Sequence, residues 1–262
     1  VSKDESKELT NWEDELASQA VEVSAKERPA VSQISLRGGI MTYEDNAMPD
    51  NEMKCIVVNH CFENRWYEEA FDPDNIELPR CFAIALEKEE LRPHENGRPP
   101  MIVPKEGEEG EPRLSTQCKG CPKNEWSSDP RPGSRGKACK EIRRLAVLPY
   151  TDTLNPDNVA DTEMAVIKLP VTSVKNWSNY VNKVGASLKR PPWSVITLIK
   201  VVPDQKTQFK VLFDCVNAVE QAFLTPLNAK REAVMPALTA PYDAPSEGDS
   251  EPEEATTEST KY

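Results

Sequence analysis

Cys118-Lys-Gly-Cys121-Pro-Lys-Asn124, followed by Gly136-Lys-Ala-Cys139-Lys140, is the stretch on which the fold of this chain turns. Its cysteines stand among lysines, arginines, glycines and prolines, where no packed core could use a thiol. Around it, residues 87–140 show little apolar periodicity. A plain loop that long is unusual inside a compact domain, so the segment is expected to be an insertion folded around a metal ion. Zinc takes four soft or borderline ligands in a tetrahedron, and a CxxC turn supplies two of them from one tight knuckle. Cys139 is the expected third ligand. For the fourth, Cys81, which opens a strand after Pro79, is favoured over His94 in the turn Arg92-Pro-His-Glu-Asn-Gly97, with Cys61 and His60 as further options. Four thiolates would close the coordination sphere, which makes the zinc structural and not catalytic. A redox pair would want a strand-to-helix context that this basic loop lacks.

Working outward, strands are expected at Ile40–Tyr43, Met53–Phe62 running on to Trp66-Tyr67, Cys81–Leu86, Arg144–Leu148 and Met164–Leu169. A helix capped by Thr172 or Ser173 would carry Val174, Trp177, Tyr180, Val181 and Val184 on one face, with Gly185 near its end. Ser194–Val202 and Gln208–Asp214 read as a hairpin, and a last helix is expected from about Val216 to Leu224. The first residues read as another helix, with Trp12, Leu16, Ala20 and Val23 at helical spacing and Arg28-Pro29 as its stop. About five short strands with one internal helix suit a β-rich α+β fold, an OB-like small β-barrel, better than a parallel α/β sheet. The expected plan is thus a helical segment over 1–37, an OB-like core over 38–215 with the zinc insertion at about 87–140, a helix and linker over 216–242, and a disordered acidic tail over 243–262. Cys55, Cys61 and Cys215 are expected to be strand residues facing the core.

The formal net charge of −12 is misleading. Residues 1–50 hold 5 Lys/Arg against 11 Asp/Glu, and residues 243–262 hold 1 against 7, so the two ends account for all of it. Residues 114–144 hold 8 basic against 3 acidic residues, and 163–200 hold 6 against 1. The first basic segment contributes Lys119, Lys123, Trp126, Arg131, Arg135, Lys137, Lys140, Arg143 and Arg144; the second contributes Lys175, Trp193 and Lys200, with Trp177 and Tyr180 expected in the core. Cations draw phosphates by charge and counterion release, and aromatic faces stack on unpaired bases. That combination is what a single-stranded nucleic acid requires. No stretch approaches the length of a bilayer-spanning helix, and the N-terminal residues carry no signal sequence, so an intracellular protein without a membrane partner is expected.

Pro79-Arg-Cys81, the Cys118–Asn124 knuckle, Gly136-Lys-Ala-Cys139-Lys with Arg143-Arg144-Leu-Ala-Val147, and the acidic C-terminus together resemble the single-stranded DNA-binding proteins of bacteriophages over roughly residues 38–215. The resemblance implies a zinc knuckle set in a β-barrel and sequence-nonspecific binding of single-stranded DNA in phage DNA replication and recombination. It also implies a tail that recruits replication or recombination proteins, with Glu251, Glu253, Glu254, Lys261 and Tyr262 as the docking residues, and the cytoplasm of the infected bacterial host as the setting. In some relatives of this kind host RNA polymerase is a further partner. The competing reading is a zinc-containing interaction protein that docks on RNA polymerase as a transcription regulator. An enzyme is not expected: there are only two histidines, and no Gly-rich phosphate loop, GxSxG or paired-acid motif.

Overall fold

The computed structural model describes residues 32–68, 78–104 and 111–242, together with Trp12, Glu15, Leu16 and Gln19. The chain divides into two compact units. One takes Val1–Glu63, Ala85–Leu91 and Lys140–Ala240; the other takes Asn64–Ile84, Arg92–Cys139 and Pro241–Tyr262.

The strands in chain order are β1 (Ser32–Ser35), β2 (Thr42–Tyr43), β3 (Asn46–Ala47), β4 (Glu52–Trp66), β5 (Cys81–Ala85), β6 (Met101–Ile102), β7 (Arg113–Leu114), β8 (Lys140–Pro149), β9 (Ala165–Leu169), β10 (Val195–Asp204) and β11 (Gln208–Ala218). The larger sheet is a curled half-barrel ordered β11-β10-β4-β8-β9-β1-β2-β3, with β5 pairing β4 off that path. The β1–β2, β2–β3, β8–β9, β4–β10 and β10–β11 pairs are antiparallel, and β1 lies parallel to β9. The β10–β11 ladder carries a register shift between Ile196 and Thr197, and such irregularities strengthen local twist. Its turn is closed by Asp204, whose carboxylate accepts the N–H groups of Lys206 and Thr207 and the Thr207 hydroxyl.

Helix α1 (Val171–Leu188) lays Trp177, Tyr180 and Val184 onto one face of this sheet. There they meet Cys55 and Val57 of β4, Leu145 and Val147 of β8, and Phe213 of β11. Tyr180 is buried because its hydroxyl has a partner, Thr197 Oγ1 at 2.6 Å. The expected cap was wrong in kind. Pro170 is the N-cap, and Ser173 Oγ instead accepts the Val211 N–H at 2.9 Å while Asn176 Nδ2 donates to the Val211 carbonyl at 2.9 Å. The helix thereby satisfies both backbone groups of Val211 on the open edge of β11, an edge of the kind that invites pairing with another strand. It also runs past Gly185 and stops at Lys189, which takes φ +53°.

The last helix starts later than the sequence suggests. β11 continues to Ala218, and helix α2 spans Gln221–Ala233 with Pro226 inside it, followed by the short α3 (Met235–Leu238). The β-branched and small residues after Phe213 sustain the ladder beyond the point where helical spacing seemed to begin. Of the N-terminal helix, Trp12, Glu15, Leu16 and Gln19 are helical and exposed; its other residues lie outside the described residues, as does the acidic tail. Among the described residues no helix is long and apolar enough to cross a membrane.

The second unit has little regular structure. The β6–β7 ladder pairs Met101 with Leu114 and Ile102 with Arg113, and short helical turns such as Pro122–Asn124 make up much of the rest. It contains a small cluster of buried residues, Trp66, Cys81, Ala138 and Cys139.

Candidate functional site

Backbone geometry builds the knuckle. Gly120 takes φ +76°, a conformation that costs a residue with a side chain, so the chain reverses sharply and the Cys121 N–H meets the Cys118 carbonyl at 3.4 Å. Asn124 fastens this turn twice: its N–H donates to the Cys121 carbonyl at 2.8 Å, and its Nδ2 donates to the Cys118 carbonyl at 2.9 Å. Cys139 arrives from the far end of the insertion and donates its N–H to the Lys123 carbonyl at 2.7 Å. Ser128 ties the same two segments, donating to the Lys123 carbonyl at 2.9 Å and accepting the Ala138 N–H at 3.0 Å. Cys81 is held by its neighbours, since the N–H of His94 donates to the Phe82 carbonyl and that of Arg98 to the Arg80 carbonyl.

Cys81, Cys118, Cys121 and Cys139 line one pocket, together with Trp66, Phe82, Lys123 and Asn124. All four are buried, and no disulfide joins any of the seven cysteines. Among the described residues no three His, Cys, Asp or Glu side chains form a ready-made coordination shell. The donor chemistry nevertheless fits zinc, because four thiols line a single pocket in a unit with little regular structure and a small buried cluster. Burial pushes the Cys81 thiol up to about 12, and Cys118 and Cys121 add to the rise. Thiols this close oppose one another's ionisation, and a dication removes that opposition.

The other ligand options are committed elsewhere. His94 stacks on Phe82 with ring centroids 4.9 Å apart, and its Nδ1 accepts the Asn96 N–H at 3.2 Å. Cys61 belongs to the first unit, where its Sγ donates to the Leu238 carbonyl at 3.6 Å. His60 is in that unit too, packed edge-on against Trp177. Cys55 is in the core as expected, whereas Cys215 is only half-buried.

The cationic residues divide between the units. In the second, Lys119 and Arg135 are exposed, and Arg131 is exposed with its guanidinium on the buried Asp129 carboxylate at 2.6 Å. Lys123 lies 4.9 Å from the centre of the Trp66 ring. Trp126 is 74% exposed, with the Lys137 ammonium 5.3 Å from its ring centre and 3.3 Å from Asn124 Oδ1. In the first unit Lys175 is exposed on α1, Lys140 is half-buried on β8, and Lys200 is paired with Glu52 at 2.5 Å. Arg143 is buried with its guanidinium 4.0 Å above the Phe62 ring, and Trp193 is half-buried with Arg231 at 5.1 Å. Arg144 does not belong to any basic surface. It is buried, donates from Nε to Glu63 Oε2 at 2.5 Å, and donates from Nη1 to the Leu238 and Ala240 carbonyls.

Phe62 and Arg231 escaped the sequence reading for plain reasons. Phe62 sits in a strand whose facing is not legible from an imperfect alternation, and Arg231 lies in a segment that reads as linker. Glu251, Glu253, Glu254, Lys261 and Tyr262 lie outside the described residues.

No family model, curated protein or solved structure matches this chain.

Proposed function

We propose that this protein binds single-stranded DNA without sequence preference, using an OB-like half-barrel and a separate basic module stapled by zinc. The observation that carries the reading is Trp126. A tryptophan 74% exposed, with a lysine against its ring, is unexplained by packing. An aromatic face beside cations is what an unpaired base on a phosphate chain fits. Cys81, Cys118, Cys121 and Cys139 would hold the zinc, whose part is to fix the fold of the second unit, and this chain's side chains make the contacts to DNA. The protein acts as a binder and not as an enzyme, and the acidic residues at 243–262 recruit replication or recombination proteins in a phage-infected bacterial cytoplasm.

The deciding experiment is a fluorescence titration with poly-dT and with duplex DNA at two salt concentrations. Tight, salt-sensitive binding to poly-dT and much weaker binding to duplex is expected. Equal affinity for both, or none for either, overturns the reading. Metal analysis of protein never exposed to chelator is expected to give about one zinc per chain, and a value well under half an equivalent sinks the zinc assignment.

A further inference from the structure

The first unit carries an alternation of aromatic rings and guanidinium groups drawn from distant parts of the chain. Arg231 on α2 lies 5.1 Å from the centre of the Trp193 ring. Asn59, the neighbour of His60 on β4, donates from Nδ2 to the Arg231 carbonyl at 3.3 Å, and His60 feels the positive charge of both Arg143 and Arg231. The His60 and Phe62 ring centroids are 6.3 Å apart, and Arg143 on β8 covers one face of Phe62 at 4.0 Å. His60 also packs edge-on against the buried Trp177, which anchors the row to the core. His60, Phe62, Trp193 and Arg231 all remain half-exposed.

Packing alone accounts poorly for this row. Two arginines are placed over rings at the border of an apolar core, where leucines would bury more area for less desolvation. Arg231 Nε is also buried with no acceptor among the described residues, although Nη1 bonds Asn228. An unsatisfied buried donor is costly, and a ligand oxygen would relieve it.

We propose that Phe62, Trp193 and Arg231 form a nucleobase-binding site in the first unit, with the two rings as stacking faces and Arg231 as donor to a base or phosphate oxygen. His60 and Arg143 are positioning residues that hold Phe62 in place. The site rests on the single-stranded DNA reading and adds to it a contact that does not depend on the zinc module.

The test uses full-length, zinc-loaded protein and a fluorescent oligo-dT. Removing one stacking face costs about 5- to 160-fold in affinity. Phe62→Ala should show such a loss with an unchanged dependence on salt, and Phe62→Tyr should restore most of it. Arg231→Gln should weaken binding and lower the slope of log affinity against log salt by about 0.7 if it meets a phosphate. Ultraviolet cross-linking of the wild type should attach thymine to the peptides holding Phe62 or Trp193. If the wild type binds oligo-dT while folded Phe62→Ala binds equally well, or cross-links fall on neither peptide, this site is overturned and the broader reading stands. If the wild type binds no single strand, both fall. Cross-linking needs no substitution, so a variant that fails to fold leaves the proposal open to refutation.

Discussion

Arg144 on β8 and Glu63 on β4 form an ion pair of 2.5 Å with side chains only 5% and 0% exposed. Next to them, Arg143 covers Phe62. Successive strand residues alternate faces, so one strand pair presents a stacked cation on one side of the sheet and a sealed ion pair on the other. Arg144 also donates to the Leu238 and Ala240 carbonyls, which fastens the end of α3 to the sheet. Removing one member of such a pair strands a charge away from water, at about 3–5 kcal/mol. Arg144→Met should therefore lower the unfolding free energy by about that much in urea titrations. Glu63→Gln keeps an acceptor but leaves the buried Arg144 charge without its counter-charge, so it should lose a comparable amount, about 3–5 kcal/mol.

The ligand set is separable by metal content. Cys81→Ser should lose zinc during purification or bind it far more weakly, as should Cys118→Ser, Cys121→Ser and Cys139→Ser. His94→Gln should keep a full equivalent, because His94 is stacked on Phe82 and is absent from the thiol pocket. Zinc loss in His94→Gln with retention in Cys81→Ser would reverse the assignment.

Chelation should act unevenly. Treating the protein with a strong zinc chelator is expected to raise hydrogen exchange through Arg92–Cys139, a stretch with few buried apolar side chains beyond the cysteines themselves. The β10–β11 ladder and α1, held by a large core of their own, should keep their protection. Uniform loss of protection would contradict this division.

Trp126 and Lys137 should contribute to binding in different ways. Trp126→Ala should cost about 1–3 kcal/mol in affinity for oligo-dT with the salt slope intact. Lys137→Gln should reduce that slope by about 0.7 if the ammonium meets a phosphate. Neither should change stability by more than about 0.5 kcal/mol, since Trp126 is largely exposed.

His60 makes stability depend on pH. Burial, then the charges of Arg143 and Arg231, lower its pKa from the ordinary 6.5. In the window between the lowered folded value and the unfolded one, the unfolded chain binds the extra proton, so stability is complete above about 6.5 and is lost as pH falls through that window. Urea midpoints at pH 7.5 and pH 5.5 should therefore differ more for the wild type than for His60→Gln. Equal differences would show that His60 does not carry this term.

Local pattern alone made several features legible. The apolar spacing of Val174, Trp177, Tyr180 and Val184 marks a helix with a buried face, and the polar break at Gln205–Thr207 marks the β10–β11 turn. Cys118-Lys-Gly-Cys121 marks a knuckle because a glycine at positive φ and the hydrogen bonds of Asn124 act over a few residues. Propensity, periodicity and turn chemistry all work at that range. Which cysteine joins the knuckle from outside, and which cations stay on the surface, depend on strand pairing across many residues. Arg143 and Arg144 are adjacent and chemically identical, yet one lies against a ring and the other is sealed against Glu63. Strand alternation puts the two on opposite faces, but which face meets Phe62 and which meets Glu63 follows from packing β8 beside β4 and leaves no mark on either arginine. The same packing brings Trp193 and Arg231 together, a pairing that no window of sequence contains.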